Sequence, residues 1–292
     1  MRLPPGVPAI LASVFAMALA DAIIKLSSAG MTLWQIWVLR SVLVLPVLYV
    51  MARGRVWPVP APWVALRCLA LVAMYLTMYP ALPLIDMALA GAAFYTAPLF
   101  IVGLSALVLG NPVTARHWVA ILTGFAGVLV IVRPFGAAFS PVVLLPVAAA
   151  ACYAGAAILT RASCAAVAPA VLGFWLNLAF LAVGGGALLA LSAGLTPPLD
   201  YPFLTGPWAP MTLRAWVVIV ILALLMVGIA IGVAVAYQSP RPEVVASFDY
   251  AYMIFATFWG FVFFGEVPQP WTLVGTVLIT AGGLIVLTGR RA

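Results

Sequence analysis

The stretch Ser239–Gly289 repeats the stretch Leu84–Pro134 at one fixed shift, 155 residues from Tyr95 to Tyr250. Phe255 falls on Phe100, Gly265 on Gly110 and Gly282 on Gly127. Each copy reads as an apolar segment, a short turn, and a second apolar segment with a glycine-containing tail. The turn is Gly110-Asn111-Pro112 in the first copy and Gly265-Glu266-Val267-Pro268 in the second. Turn and glycines keep the same offset, so the chain folds as two related halves. If each half crosses a membrane an odd number of times, the halves lie in opposite orientation, because every crossing reverses the chain.

Composition supplies the membrane. The chain is 67% hydrophobic and 7% charged, with mean hydropathy +1.26, whereas a soluble domain is about a quarter charged. The apolar runs reach about 20 residues, the length a helix needs to cross a hydrocarbon core of about 30 Å. Barrel strands would alternate apolar and polar residues, and these runs do not. We expect an all-α membrane protein with ten transmembrane helices, near 6–27, 32–51, 62–82, 88–109, 115–132, 141–160, 168–193, 212–237, 242–264 and 268–288. The two inverted five-helix repeats would occupy residues 1–136 and 137–292, an arrangement that secondary transporters share. No cleavable signal pattern precedes the first span and no soluble domain is appended, so any function is expected inside the bundle.

With the N-terminus in the cytoplasm, the inner side holds Arg2, Arg53, Arg55, Arg67, Arg116, Arg161, Arg241, Arg290 and Arg291. The outer side holds Lys25, Arg133 and Arg214, together with the acids Asp86, Asp200 and Glu266. This distribution fits the positive-inside rule and places both termini in the cytoplasm. The net charge of +7 needs no nucleic-acid partner, since no basic cluster exceeds two adjacent residues. The proline-rich stretch Thr196–Pro210 reads as an external loop, with Tyr201 and Trp208 near the interface. Cys68, Cys152 and Cys164 show no metal or redox spacing and read as small buried apolar groups.

The segments Ser105–Ile131 and Gly260–Leu287 resemble the repeat unit of the drug/metabolite transporter superfamily, of the EamA type. Its members show an apolar helix, a Gly-Glu-Pro-like turn and a helix ending in Gly-Val-Leu-like residues. The second copy keeps Phe264-Gly265-Glu266, and the first has Gly110-Asn111. Ile24-Lys25, Leu39-Arg40 and Tyr153 with Leu159-Thr160-Arg161 are similar to the same pattern. The resemblance implies a bacterial inner-membrane exporter of small metabolites or drugs, working by alternating access through a central cavity. Bacterial amino-acid and metabolite exporters are the group it is most like, which implies an aromatic or other neutral amino acid as substrate. A multidrug or organic-cation exporter of the same superfamily is the alternative, and a non-transporting membrane scaffold is a third class. The expected partners are a small amphiphile and the lipid bilayer, with the chain as a monomer.

Charges within apolar spans are costly, about 2.5–3.5 kcal/mol each at mid-bilayer on insertion scales. Asp21, Lys25, Arg40 and Asp249 stand out. Asp21 and Lys25 are four residues apart on one helix face and can pair, and Arg40 can reach the same acid. Such a cluster is either a structural lock between the first two spans or an anchor and gate for substrate. Asp249 serves proton coupling or amine recognition, or else pairs with Arg161 or Arg241.

The aromatic residues divide by depth. Tyr201, Trp208, Trp216 and Trp271 fit an interfacial belt. Tyr75, Tyr79, Tyr95, Trp175, Tyr250 and Tyr252 lie deeper, where a tyrosine hydroxyl needs a partner. With Asn177, Tyr237 and Gln238, they are the expected cavity lining. Pro80 frees carbonyls within the third span, and Pro83 and Pro240 mark helix breaks at nearly matching places in the two halves. The glycines allow helices to approach closely. No catalytic motif, phosphate loop or metal-ligand spacing is present, so no enzyme activity, metal or cofactor is expected.

Overall fold

The structure, a computed structural model, describes residues 6–109, 115–132, 140–195, 200–237, 248 and 250–288. Among these, all regular structure is helical: α1 (Gly6–Ser27), α2 (Leu33–Met51), α3 (Ala61–Ala81), α4 (Met87–Phe94), α5 (Ala97–Leu109) and α6 (Ala115–Val132) come first. A 3-10 turn, Pro141–Val143, leads into α7 (Leu144–Ser163), α8 (Pro169–Ser192), a four-residue α9 (Pro202–Thr205), α10 (Leu213–Tyr237), α11 (Ala251–Phe264) and α12 (Pro270–Thr288). Six of these are long and apolar enough to cross a membrane.

The bundle is apolar outside as well as inside. Val50, Leu107, Leu213, Leu224, Ile254 and Val277 are all more than 60% exposed. In water such a surface would aggregate; in lipid it is solvated. Backbone groups facing lipid must be satisfied within the segment, which helices achieve. The chain is a multi-pass membrane protein.

Helices fall within each expected segment, but of the ninth, expected over 242–264, the helix described is Ala251–Phe264, and the fourth is broken. The fourth, expected unbroken over 88–109, is interrupted at Tyr95 and Thr96. Pro98 has no N–H to give the carbonyl of Phe94, and its ring crowds the preceding turn. Thr96 Oγ1 bonds the carbonyl of Ala93 at 2.8 Å across the break. Pro83, expected to mark the break, sits in the turn between α3 and α4, and Pro240 lies outside the described residues. In the second half a turn at Tyr250, the repeat mate of Tyr95, precedes α11.

α1 packs on α10 and α11, α2 on α8 and α10, and α3 on α7 and α8. α4 packs on α11 and α7, α5 on α7, and α6 on α12. The last pair approaches closely at Gly127 and Gly275. A Cβ on Gly127 would lie 2.8 Å from the Gly275 carbonyl oxygen, and one on Gly275 would lie 2.7 Å from that of Gly127. The partner of Gly127 is thus Gly275, not its repeat mate Gly282.

One end of the bundle is capped by residues 200–211. The Gln35 side chain bonds the backbone of Ala209 through both its oxygen (3.0 Å) and its nitrogen (2.9 Å). Trp34 Nε1 donates to Leu204 O at 2.7 Å. Tyr201, expected near the interface, turns its hydroxyl inward and donates to Pro80 O at 2.7 Å. Burial pushes that hydroxyl up to about 12, so it stays protonated and donates at neutral pH.

Candidate functional site

A cavity of about 100 Å³ lies at mid-bundle. α1 contributes Met17, Ala20 and Asp21, and α2 contributes Arg40. α3 supplies Met74, Tyr75, Met78 and Tyr79 from two successive turns. The helix break supplies Phe94 and Tyr95, α10 supplies Leu222, Met226 and Ile229, and α11 supplies Tyr252. Both halves of the chain therefore furnish the walls.

The rings form two sets, one on α3 and one around the helix break and α11. Tyr75 and Tyr79 lie with centroids 4.8 Å apart, as their spacing of four requires on a helix. Tyr95 stacks on Tyr252 at 5.2 Å and 20°. Gly91 faces Tyr252 closely, with a hypothetical Cβ only 3.1 Å from its ring. Tyr250 meets Tyr95 at 5.5 Å from behind and does not itself line the cavity.

The charges are arranged differently from the expected lock. Asp21 does not pair with Lys25. Asp21 Oδ2 accepts a hydrogen bond from the Tyr252 hydroxyl at 2.5 Å, joining α1 to α11. Lys25, one turn further along α1, pairs with Glu266 and donates to Ile85 O at 2.6 Å. Glu266 Oε2 in turn accepts from the Met87 backbone N–H at 2.7 Å. This bond satisfies a free donor at the N-terminus of α4, where negative charge is favoured. Gly265, at φ 68°, ends α11 in the left-handed conformation and turns the chain toward Glu266. The turn glutamate thus ties α1, α4 and the α11–α12 turn together at one end of the cavity, a role the sequence did not reveal.

Arg40 is 3% exposed, and its Nε and Nη2 have no hydrogen-bond partner. Its guanidinium lies 5.3 Å from the Phe180 ring centroid. It faces the same cavity as Asp21 without forming an ion pair, so the expected lock between the first two spans is absent.

Two more expected lining residues, besides Tyr250, lie elsewhere. Trp175 donates from Nε1 to Val56 O at 3.0 Å and packs against Trp57, at the end of the bundle near the α2–α3 loop. Asn177 is fully buried between α2 and α8, bonded to Gly173 O at 2.9 Å and to Ser41. The Tyr237 side chain, Gln238 and Asp249 lie outside the described residues. Met74 and Met78 neighbour the two tyrosines on α3 and share their depth, a signal that could have found them. Leu222, Met226 and Ile229 recur every three or four residues on a helix apolar all round, and nothing marks that face.

A profile of the EamA-like transporter family matches residues 4–133. A riboflavin transporter of Rhizobium johnstonii is 27% identical over 197 residues, covering 67% of this chain and 60% of that protein. A riboflavin transporter of Vibrio cholerae is 28% identical over 190 residues, 64% of this chain and 58% of that protein. The chain thus spans less than two thirds of the length of either. A pseudopaline exporter of Pseudomonas aeruginosa is 27% identical over 275 residues, 93% of this chain and 91% of that protein. One solved crystal structure superposes with TM-score 0.62 at 23% identity, covering 97% of this chain and 98% of the other. That likeness is one of fold.

Proposed function

We propose that this chain, whose residues 4–133 belong to the EamA-like transporter family, is a secondary transporter that exports small metabolites by alternating access. The observation that carries the reading is the mid-bundle cavity, walled by both halves and bridged by the Asp21–Tyr252 bond. The halves are residues 1–136 and 137–292, five spans each, with α4 and α5 forming one broken span.

The packing pattern supports inverted halves. Exchanging each span for its repeat mate turns the α1–α10 contact into α7–α3, and α1–α11 into α7 with α4 and α5. It also turns α2–α10 into α8–α3, and leaves α2–α8, α4–α11 and α6–α12 in place. Rocking one set against the other opens the cavity to each side in turn. At about 100 Å³ the cavity is smaller than the roughly 150 Å³ that admits a benzene ring, so loading requires the helices to part. The basic residues on the Arg53 side support a reading in which both termini lie in the cytoplasm of a bacterial inner membrane.

The lining of tyrosines, methionines, one acid and one base fits an aromatic or neutral amino acid, or a metabolite of similar amphiphilic kind. The relatives named for riboflavin and pseudopaline support a small organic metabolite as cargo. An organic-cation exporter is the second reading, favoured by Asp21 in the cavity wall. Purified protein in liposomes decides between them. We expect counterflow of labelled phenylalanine and none of a labelled quaternary ammonium dye. The reverse result establishes the second reading, and movement of neither overturns the transport assignment for both classes.

A further inference from the structure

An arginine inside a membrane bundle is a costly placement that asks for a partner. Among the described residues Arg40 has no carboxylate within ion-pairing reach, yet it is almost wholly buried and two of its guanidinium nitrogens have no partner there. Buried polar groups in native proteins are nearly always satisfied, by protein, water or ligand. The free nitrogens, Nε and Nη2, are two donors of the planar fork that grips a carboxylate through parallel hydrogen bonds. The residue lines the cavity, and Phe180 supports the guanidinium on one side through its ring.

The nearest acid is spoken for. Asp21 is held by the Tyr252 hydroxyl from across the cavity, anchored to the other half of the chain. Lys25 is likewise committed to Glu266 and Ile85. Among the described residues Arg40 is therefore the cation of the cavity wall left with open valences, and it sits beside Tyr75 and Tyr79, whose rings offer an apolar wall.

Resting on the reading of this cavity as the substrate site, we infer that Arg40 is its anion-binding residue and that the cargo carries a carboxylate. The carboxylate docks on Nε and Nη2, and the apolar body of the cargo lies along Tyr75, Tyr79 and the methionines Met74 and Met78. Asp21 faces the other end of the cargo and accepts from an ammonium or hydroxyl there. This arrangement selects acids and zwitterions, and it rejects amines that lack an acid because they leave the guanidinium buried and unpaired.

Four probes with the same phenyl ring test it on the purified full chain: 3-phenylpropionate, phenylalanine, phenylalaninamide and phenethylamine. Binding is read by thermal shift and by competition against labelled phenylalanine, and transport by counterflow in liposomes. We expect 3-phenylpropionate and phenylalanine to bind, and the amide and amine to bind at least tenfold more weakly. Arg40→Gln weakens the two acids about tenfold to a hundredfold, the range for losing a charged hydrogen-bonded pair. Arg40→Lys keeps the charge without the fork and falls between. Equal binding of phenethylamine and 3-phenylpropionate overturns the inference, and this comparison needs only the wild-type chain if Arg40→Gln fails to fold. Transport that persists unchanged in Arg40→Gln overturns the role of Arg40 and leaves the transporter reading standing. Binding of the acids without movement of any probe supports the inference and overturns the reading. Neither binding nor movement overturns both.

Discussion

Tyr252 donates to Asp21 at 2.5 Å across the two halves, and Tyr252→Phe removes that bond while keeping the ring that stacks on Tyr95. A hydrogen bond to a charged group is worth about 1.5–3 kcal/mol. We therefore expect a lowered denaturation midpoint in detergent and a changed phenylalanine KM in liposomes. Trp175→Phe is the contrasting case. It loses one bond to Val56 O, an effect of about 1 kcal/mol, and should leave the phenylalanine KM unchanged because the ring lies outside the cavity. A several-fold rise in KM for Trp175→Phe would put that residue back in the path. Tyr75 and Tyr79 were legible as a pair because a spacing of four puts two side chains on one helix face. The span boundaries expected from the sequence put Trp175 and Asn177 at a similar depth. Which way they face depends on the rotation of α8 about its axis, which its neighbours α2 and α3 determine.

Among the helices, Glu266 makes a tie one turn along α1 from Asp21, holding both Lys25 and the first free N–H of α4. Glu266→Gln keeps a side chain of the same shape but removes the charge that Lys25 answers. In a background with Cys68, Cys152 and Cys164 replaced by Ala, we expect Glu266→Gln to raise the labelling rate of Ala20→Cys several-fold. The reagent is a membrane-impermeant maleimide applied from the Lys25 side, and an unchanged rate would show that this contact does not gate access. The close approach of α6 and α12 sets a second test. Gly127→Leu drives a side chain against the Gly275 carbonyl oxygen, and overpacking of this kind costs about 1–3 kcal/mol. The readout is loss of the monodisperse peak in fluorescence-detected size exclusion. The helix break at Tyr95 could be read from Pro98, whose missing N–H and bulky ring act on the turn before it. Pro83 attracted attention by its match to Pro240 but stands between helices, where a proline disturbs nothing.

For the whole molecule, the orientation follows from where the basic residues fall. Alkaline phosphatase fused after Gly54 should be inactive and fused after Gly206 active, since that enzyme matures only outside the cytoplasm. Activity in the opposite pattern would invert the proposed topology. The sequence by itself determined that the chain is an all-helical membrane protein and where its apolar segments fall, and its self-similarity led us to propose two related halves. Those properties depend on local hydrophobicity, helix length and self-similarity, all written along the chain. Tertiary structure alone decided that Asp21 is held by Tyr252, that Lys25 answers Glu266 from 241 residues away, and that Arg40 lines the cavity with two buried nitrogens unpaired. In an apolar helix every face is compatible with lipid, so hydrophobic pattern does not say which face turns inward. That choice comes from shape, from the fit of Gly127 against Gly275 and of Gly91 against Tyr252, summed over helices distant in the chain.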